Sequence, residues 1–179
     1  MKAVLLAAGE GVRLLPITAT RPKHLILIGG KPILEHCLDA LKLCDINEAV
    51  IVTHYMGEAI RSYFGNGKKF GFKLEYVEQS IVLGTGNAVS IIEPHVNGDF
   101  VVVYADLLFG QEAMQTVVDT YKHEKPDAIM AVVAVDKPES YGIIELEAGK
   151  KVKRVVEKPI HWAVCPSATP SWNRPDPGK

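Results

Sequence analysis

Three short runs constrain the fold of this chain more than any other feature. They are "KAVLLAA" (2–8), "EAVIVTH" (48–54) and "DFVVVYAD" (99–106), apolar almost throughout and rich in β-branched residues. A strand with one wet face alternates apolar and polar residues, so a strand that is apolar on both sides must be covered on both sides. Helical patterns separate these runs. "KPILEHCLDALKLC" (31–44) places Ile33, Leu34, Cys37, Leu38, Leu41 and Cys44 on one stripe, with Pro32 suited to the first turn. "GEAIRSYFG" (57–65) and "EAMQTVVDTYKHE" (112–124) read as further helices, and "GNAVSIIEPHV" (86–96) begins as one. "FKLEYVEQ" (72–79) alternates like a strand, "DAIMAVVAV" (127–135) reads as another buried strand, and 141–159 reads as a hairpin turning at Ala148-Gly149-Lys150. Strand–helix alternation of this kind, with uniformly apolar strands, predicts an α/β sheet covered on both faces by helices.

Composition narrows the function classes. The 179 residues are 47% hydrophobic with net charge −1, which suits a domain with a substantial core and excludes a general nucleic-acid or membrane-surface binder. No apolar stretch approaches the ~20 residues of a membrane span. Met1-Lys2 runs straight into a strand, without a leader pattern. Cys37, Cys44 and Cys165 form no CxxC and show no pairing pattern, so reduced thiols in a cytoplasmic protein are expected.

Ligands of such sheets bind beyond the carboxyl ends of the strands, so Ala8-Gly9, Gln79 and Asp106 are expected on one rim. Gly9-Glu10-Gly11 has neither the third glycine of a dinucleotide fingerprint, whose place Leu14 holds, nor a Walker Gly-Lys-Ser/Thr, and a simple redox domain is thereby excluded. The loop is long and carries Arg13, Arg21 and Lys23, which suits a polyphosphate: backbone amides form an anion-binding concavity and cations neutralise the remaining charge. A glycine turn with solvated surface charges accounts for the same residues. Asp106 is placed as a Mg²⁺ ligand would be, and equally as a turn or helix-capping aspartate. Gln79 can offer donor and acceptor to one base edge, and Gly84 lets backbone approach a flat ring; an ordinary strand–loop–helix connection is the alternative. Glu157-Lys158 reads equally as a solvated surface pair. His36 and His54 read as structural, and no nucleophile–histidine constellation emerges.

Together these pieces resemble one family. "LLAAGEGVRLLPITATRPKHLILIGGKPIL", then "QSIVLGTG", "YADLLF", "YGIIEL" and "VEKP", follow in order the pattern of the sugar-1-phosphate nucleotidylyltransferases over residues 1–159. The resemblance implies a Rossmann-like, mixed but mostly parallel sheet with helices on both faces, incomplete at the C-terminus. It also implies transfer of a nucleotidyl group from an NTP, dTTP or UTP first, to a sugar-1-phosphate, glucose-1-phosphate first, releasing pyrophosphate. It implies catalytic roles for Arg13 and Lys23, and nucleotide contacts from Ala8, Gly9, Gly11, Gln79, Gly84 and Thr85. Asp106 would hold Mg²⁺, while Gly142, Glu157 and Lys158 would meet the sugar phosphate. "LGTG" is also similar to the N-acetylglucosamine-1-phosphate uridylyltransferases, and mannose-1-phosphate with GTP or phosphocholine with CTP stays open.

Departures from the pattern are Val12 in place of a small hydroxyl residue and Ala105 in place of glycine. After Pro159 the text "IHWAVCPSATPSWNRPDPGK" matches nothing in the family. The expectation is a partial nucleotidyltransferase domain over 1–159 and an irregular Pro-rich tail over 160–179. A second acidic metal ligand is expected to be missing, since Asp176 is not assigned that role, and impaired turnover through truncation is the expectation. A non-catalytic nucleotide- or sugar-nucleotide-binding regulatory module is the alternative from another class. An exposed sheet edge after truncation points to a homo-oligomer.

Overall fold

A computed structural model describes residues 1–147 and 151–157. The chain divides into two compact units, Met1–Ile129 and a second beginning at Met130. The boundary expected at residue 159 and the 160–179 tail lie outside the described residues.

In the first unit, β1 (Lys2–Ala7), β4 (Glu48–Thr53), β5 (Lys73–Glu78) and β6 (Phe100–Tyr104) form one sheet in the order β5-β4-β1-β6. Every pairing is parallel, with Val4 opposite both Val50 and Val102. The short strands β2 (Leu27–Ile28) and β3 (Lys31–Pro32), which the sequence did not reveal, pair antiparallel and lead into α1 (Ile33–Leu43). Three further helices follow: α2 (Gly57–Phe64), α3 (Thr85–Ser90) and α4 (Gln111–Glu124).

Side chains of successive strand residues point to opposite faces, and β1 shows the consequence directly. Ala3, Leu5 and Ala7 join Leu34, Leu38 and Leu41 of α1, Ile60 and Phe64 of α2, and Met114 and Val118 of α4 in one core. Val4 and Leu6 join Val50, Val52, Ala88 of α3 and Ile92 in a second core on the other face. The stripe read from α1 is buried in full. The α/β sheet covered on both faces is therefore the observed architecture.

One expected strand does not form. Residues 127–135 carry no strand, and Met130, Val132 and Val133 are 51%, 57% and 83% exposed. Apolar composition shows only that a segment suits burial; a strand also needs a hydrogen-bonding neighbour. Among the described residues none pairs with this run. β6 likewise pairs only with β1, leaving Phe100, Val102 and Tyr104 exposed.

In the second unit, β7 (Gly142–Leu146) and β8 (Val152–Glu157) pair antiparallel as the expected hairpin, whose turn at 148–150 lies outside the described residues. Lys153 and Arg154 both pair with Glu145 across it and hold its carboxyl below the usual range.

Leu5 is fully buried at the centre of the sheet. Leu5→Ala should cost about 3 kcal/mol of unfolding free energy by urea titration, with the denaturant slope unchanged. A loss below about 1 kcal/mol would contradict the packing described.

Candidate active site

Because the four strands are parallel, their carboxyl ends share one rim. Ala8 follows β1, Gln79 follows β5, and Asp106 follows β6 by two residues. Gln79 and Asp106 stand at opposite edge strands, three strand spacings apart, or roughly 14 Å at ~4.8 Å per spacing.

The loop leaving β1 folds back on itself. Gly11 adopts φ +71°, a left-handed conformation that only glycine enters readily. A Cβ there would lie 3.0 Å from Thr18 Cγ2 and 3.2 Å from Lys23 Cβ. The buried Thr18 hydroxyl donates to the Gly11 carbonyl at 2.9 Å, and the Tyr55 hydroxyl donates to the Thr18 carbonyl at 3.0 Å. Lys23 passes over Gly9, where a Cβ would sit 2.9 Å from Nζ, and pairs with the Asp106 carboxylate. A contact between residues 83 positions apart thus ties the first loop to the end of β6. The carboxylate remains about one-third exposed. Arg13, in a 3-10 turn over Val12–Leu14, is exposed and makes no ion pair with the described residues.

Gln79 is buried. Its backbone N–H donates to the Thr53 carbonyl at 2.8 Å, and its side-chain Nε2 donates to Asn87 Oδ1 at 2.8 Å and to the Gly84 carbonyl at 3.3 Å. A ring nitrogen of His54 lies 2.8 Å from the Gln79 carbonyl oxygen. Gly84 takes φ +93° with open space where a Cβ would be, so its backbone angle and not crowding calls for glycine. Thr85 opens α3 directly after it. Asn87 therefore fixes the glutamine amide, a role that an asparagine inside a helical pattern does not announce.

Two further groups back the Asp106 corner. The Cys37 thiol on α1 donates to the Leu107 carbonyl at 3.3 Å, and burial pushes its pKa up to about 12, so it stays protonated. His24 is fully buried, and burial, reinforced by the neighbouring Lys23 charge, lowers its pKa to about 4. Neither stood out in sequence, where Cys37 is one of a helical stripe and His24 simply follows a lysine. In the hairpin, Gly142 stands directly opposite Glu157, and a Cβ on Gly142 would lie 3.0 Å from Glu157 Oε2. Lys158 lies outside the described residues.

The rim offers a cation, a hard carboxylate oxygen and a glycine-shaped loop at one side, with a fixed amide at the other. Among the described residues no group of three or more His, Cys, Asp or Glu side chains could hold a metal ion. Asp106 alone fits Mg²⁺, which accepts one carboxylate when substrate phosphates and waters supply the rest. No helix among the described residues is long and apolar enough to cross a membrane.

A parallel sheet covered on both faces, with a glycine loop at its carboxyl rim, defines the α/β class whose ligands bind at that rim. Comparison with known proteins is more specific. The family described as nucleotidyl transferase matches residues 2–169, so the match runs past Pro159, where the motif resemblance was expected to end, and the chain belongs to that family. It is 36% identical over 159 residues to the bifunctional protein GlmU of Methanococcus vannielii, covering 89% of this chain and 36% of that protein. It is 34% identical over 161 residues to the glucose-1-phosphate thymidylyltransferase of Streptomyces griseus, covering 90% of this chain and 45% of that protein. The chain thus spans less than half the length of these curated relatives. Among solved structures, a Bacillus anthracis glucose-1-phosphate thymidylyltransferase in complex with sucrose superposes with a TM-score of 0.80 at 33% identity, covering 89% of this chain and 65% of that one. A UDP-glucose pyrophosphorylase complexed with UDP-glucose superposes with a TM-score of 0.74 at 25% identity, covering 88% and 68%.

Two outcomes follow from this geometry. Gly11→Ala should destabilise the chain by about 1–2 kcal/mol through its left-handed backbone alone, read as a lower urea midpoint; an unchanged midpoint would contradict the loop conformation. The His24 ring titrates near 6.5 when unfolded and near 4 when folded. Between those values the unfolded chain binds more protons, so stability falls as pH is lowered from about 6.5 to about 4, by about 3 kcal/mol from this ring. Urea unfolding at pH 7, 5.5 and 4 should show that loss, and His24→Leu should remove it.

Proposed function

We propose that this chain carries the nucleotide-handling part of a sugar-1-phosphate nucleotidylyltransferase. The observation that carries the reading is the Lys23–Asp106 pair folded over Gly9 at the rim. A cation and an oxygen ligand are held together there, each satisfying the other until a polyphosphate and a metal ion arrive. Mg²⁺ bound at Asp106 would neutralise charge on the triphosphate. Lys23 and Arg13 bind the phosphates and stabilise the departing pyrophosphate. The backbone around Ala8, Gly9 and Gly11 cradles the triphosphate, and the roughly 14 Å to Gln79, Gly84 and Thr85 suits the length of a nucleotide with its base at the far edge.

A sugar-1-phosphate oxygen attacks the α-phosphorus, a new P–O bond forms, and the bond to the bridging β-phosphate oxygen breaks. The nucleophile is already largely deprotonated near neutral pH, its second pKa being about 6. The work is therefore positioning and charge neutralisation, which needs no general base. Gly142, Glu157 and Lys158 are proposed for the sugar phosphate, with Glu157 presented beside a glycine that leaves it room. Similarity to glucose-1-phosphate thymidylyltransferases supports dTTP or UTP with glucose-1-phosphate as first choice. We read the protein as cytoplasmic, and the edge of β6, which pairs with no strand among the described residues, supports self-association.

The test is pyrophosphate release with Mg²⁺, each NTP and a panel of sugar-1-phosphates. Lys23→Ala and Asp106→Ala should each lower the rate by about 10²–10³-fold; an intact rate in either overturns the assignment. Nucleotide binding without release for any sugar phosphate would instead make the chain a binding module.

A further inference from the structure

Among the described residues, His24 is the one side chain whose buried polar atoms have no hydrogen-bonding partner: both ring nitrogens are orphaned. The ring is 0% exposed. Whichever nitrogen carries the proton, an N–H lacks an acceptor and a lone pair lacks a donor. Buried polar groups are nearly always paired, and leaving one unpaired costs stability that a leucine of similar size would not cost.

The location connects this cost to the reaction. His24 follows Lys23 within the same 3-10 turn, Lys23–Leu25. The charges of Lys23 and Asp106 both act on its ring. The Cys37 thiol fixes the backbone just beyond Asp106 from another direction. In the free chain Lys23 satisfies the Asp106 carboxylate. When Lys23 turns to a triphosphate, that carboxylate loses its hydrogen bond at the moment it must face a metal ion. A second ammonium there would compete with the ion. A neutral imidazole N–H can hold one carboxylate oxygen without adding charge, and outer hydrogen bonds of this kind orient metal-binding side chains.

We propose that His24 is a positioning residue whose ring N–H, idle in the free chain, donates to the Asp106 carboxylate once Lys23 leaves it, and so orients that carboxylate toward Mg²⁺. The inference rests on the roles of Lys23 and Asp106 given above.

The experiment pairs melting temperature of the free chain with nucleotide affinity by calorimetry, using dTTP and UTP with Mg²⁺ and with EDTA. His24→Leu should raise the melting temperature by about 2–6 °C and weaken Mg²⁺-dependent binding by about tenfold, while binding in EDTA is unchanged. His24→Asn or His24→Gln, which place an amide N–H near the Nδ1 or Nε2 position, should restore most of the affinity. Unchanged Mg²⁺-dependent affinity in His24→Leu overturns the proposal. So does a lower melting temperature or failure of that variant to fold, because the nitrogens would then be satisfied in the free chain. Failure of both amides to rescue overturns it as well. Lys23→Ala and Asp106→Ala report separately on the site: if both bind Mg²⁺–nucleotide like the wild type, the site reading fails, and the His24 role falls with it.

Discussion

Everything at the rim depends on β1 being hydrogen-bonded on both edges and buried on both faces. Its neighbours β4 and β6 run parallel to it, and its alternate residues feed two separate cores. That double constraint fixes where the strand ends, and the glycine loop begins from a rigid point. A phosphate loop on a mobile segment would have to be ordered by each ligand; here the sheet has already ordered its root.

From that root the loop is closed by a set of linked interactions. Thr18 holds the Gly11 carbonyl, Tyr55 holds Thr18, and Lys23 reaches over Gly9 to Asp106. Tyr55 follows β4 and Asp106 follows β6, so the loop is gripped from both strands that flank β1. On the reading proposed above, the ion pair is provisional. Each partner is a group that a Mg²⁺–triphosphate would claim, and holding them against each other keeps both in place and mutually neutralised at the partly exposed rim.

Much of this was legible in the chain because the signals were local. "KAVLLAA" and "EAVIVTH" could hardly be anything but buried parallel strands, and the stripe from Ile33 to Cys44 could hardly face water. The rim positions of Ala8, Gln79 and Asp106 followed from strand ends alone. What escaped was non-local. "DAIMAVVAV" has the composition of a strand, yet pairing depends on a neighbour that composition cannot supply. Asn87 and Thr18 gained their roles from where the fold placed Gln79 and Gly11. His24 was hidden by its own neighbour, since a histidine after a lysine carries no period and no spacing.

The two halves of the proposed chemistry also differ in what holds them. The nucleotide side is built on the sheet, with partners drawn from β1, β4, β5 and β6. The residues proposed for the sugar phosphate sit on a separate two-stranded hairpin whose own order comes from cross-strand pairs: Gly142 with Glu157, and Glu145 with Lys153 and Arg154. On the reading proposed above, the residues assigned to the nucleotide are thus held by strands of the core, and those assigned to the sugar phosphate by pairs across the hairpin.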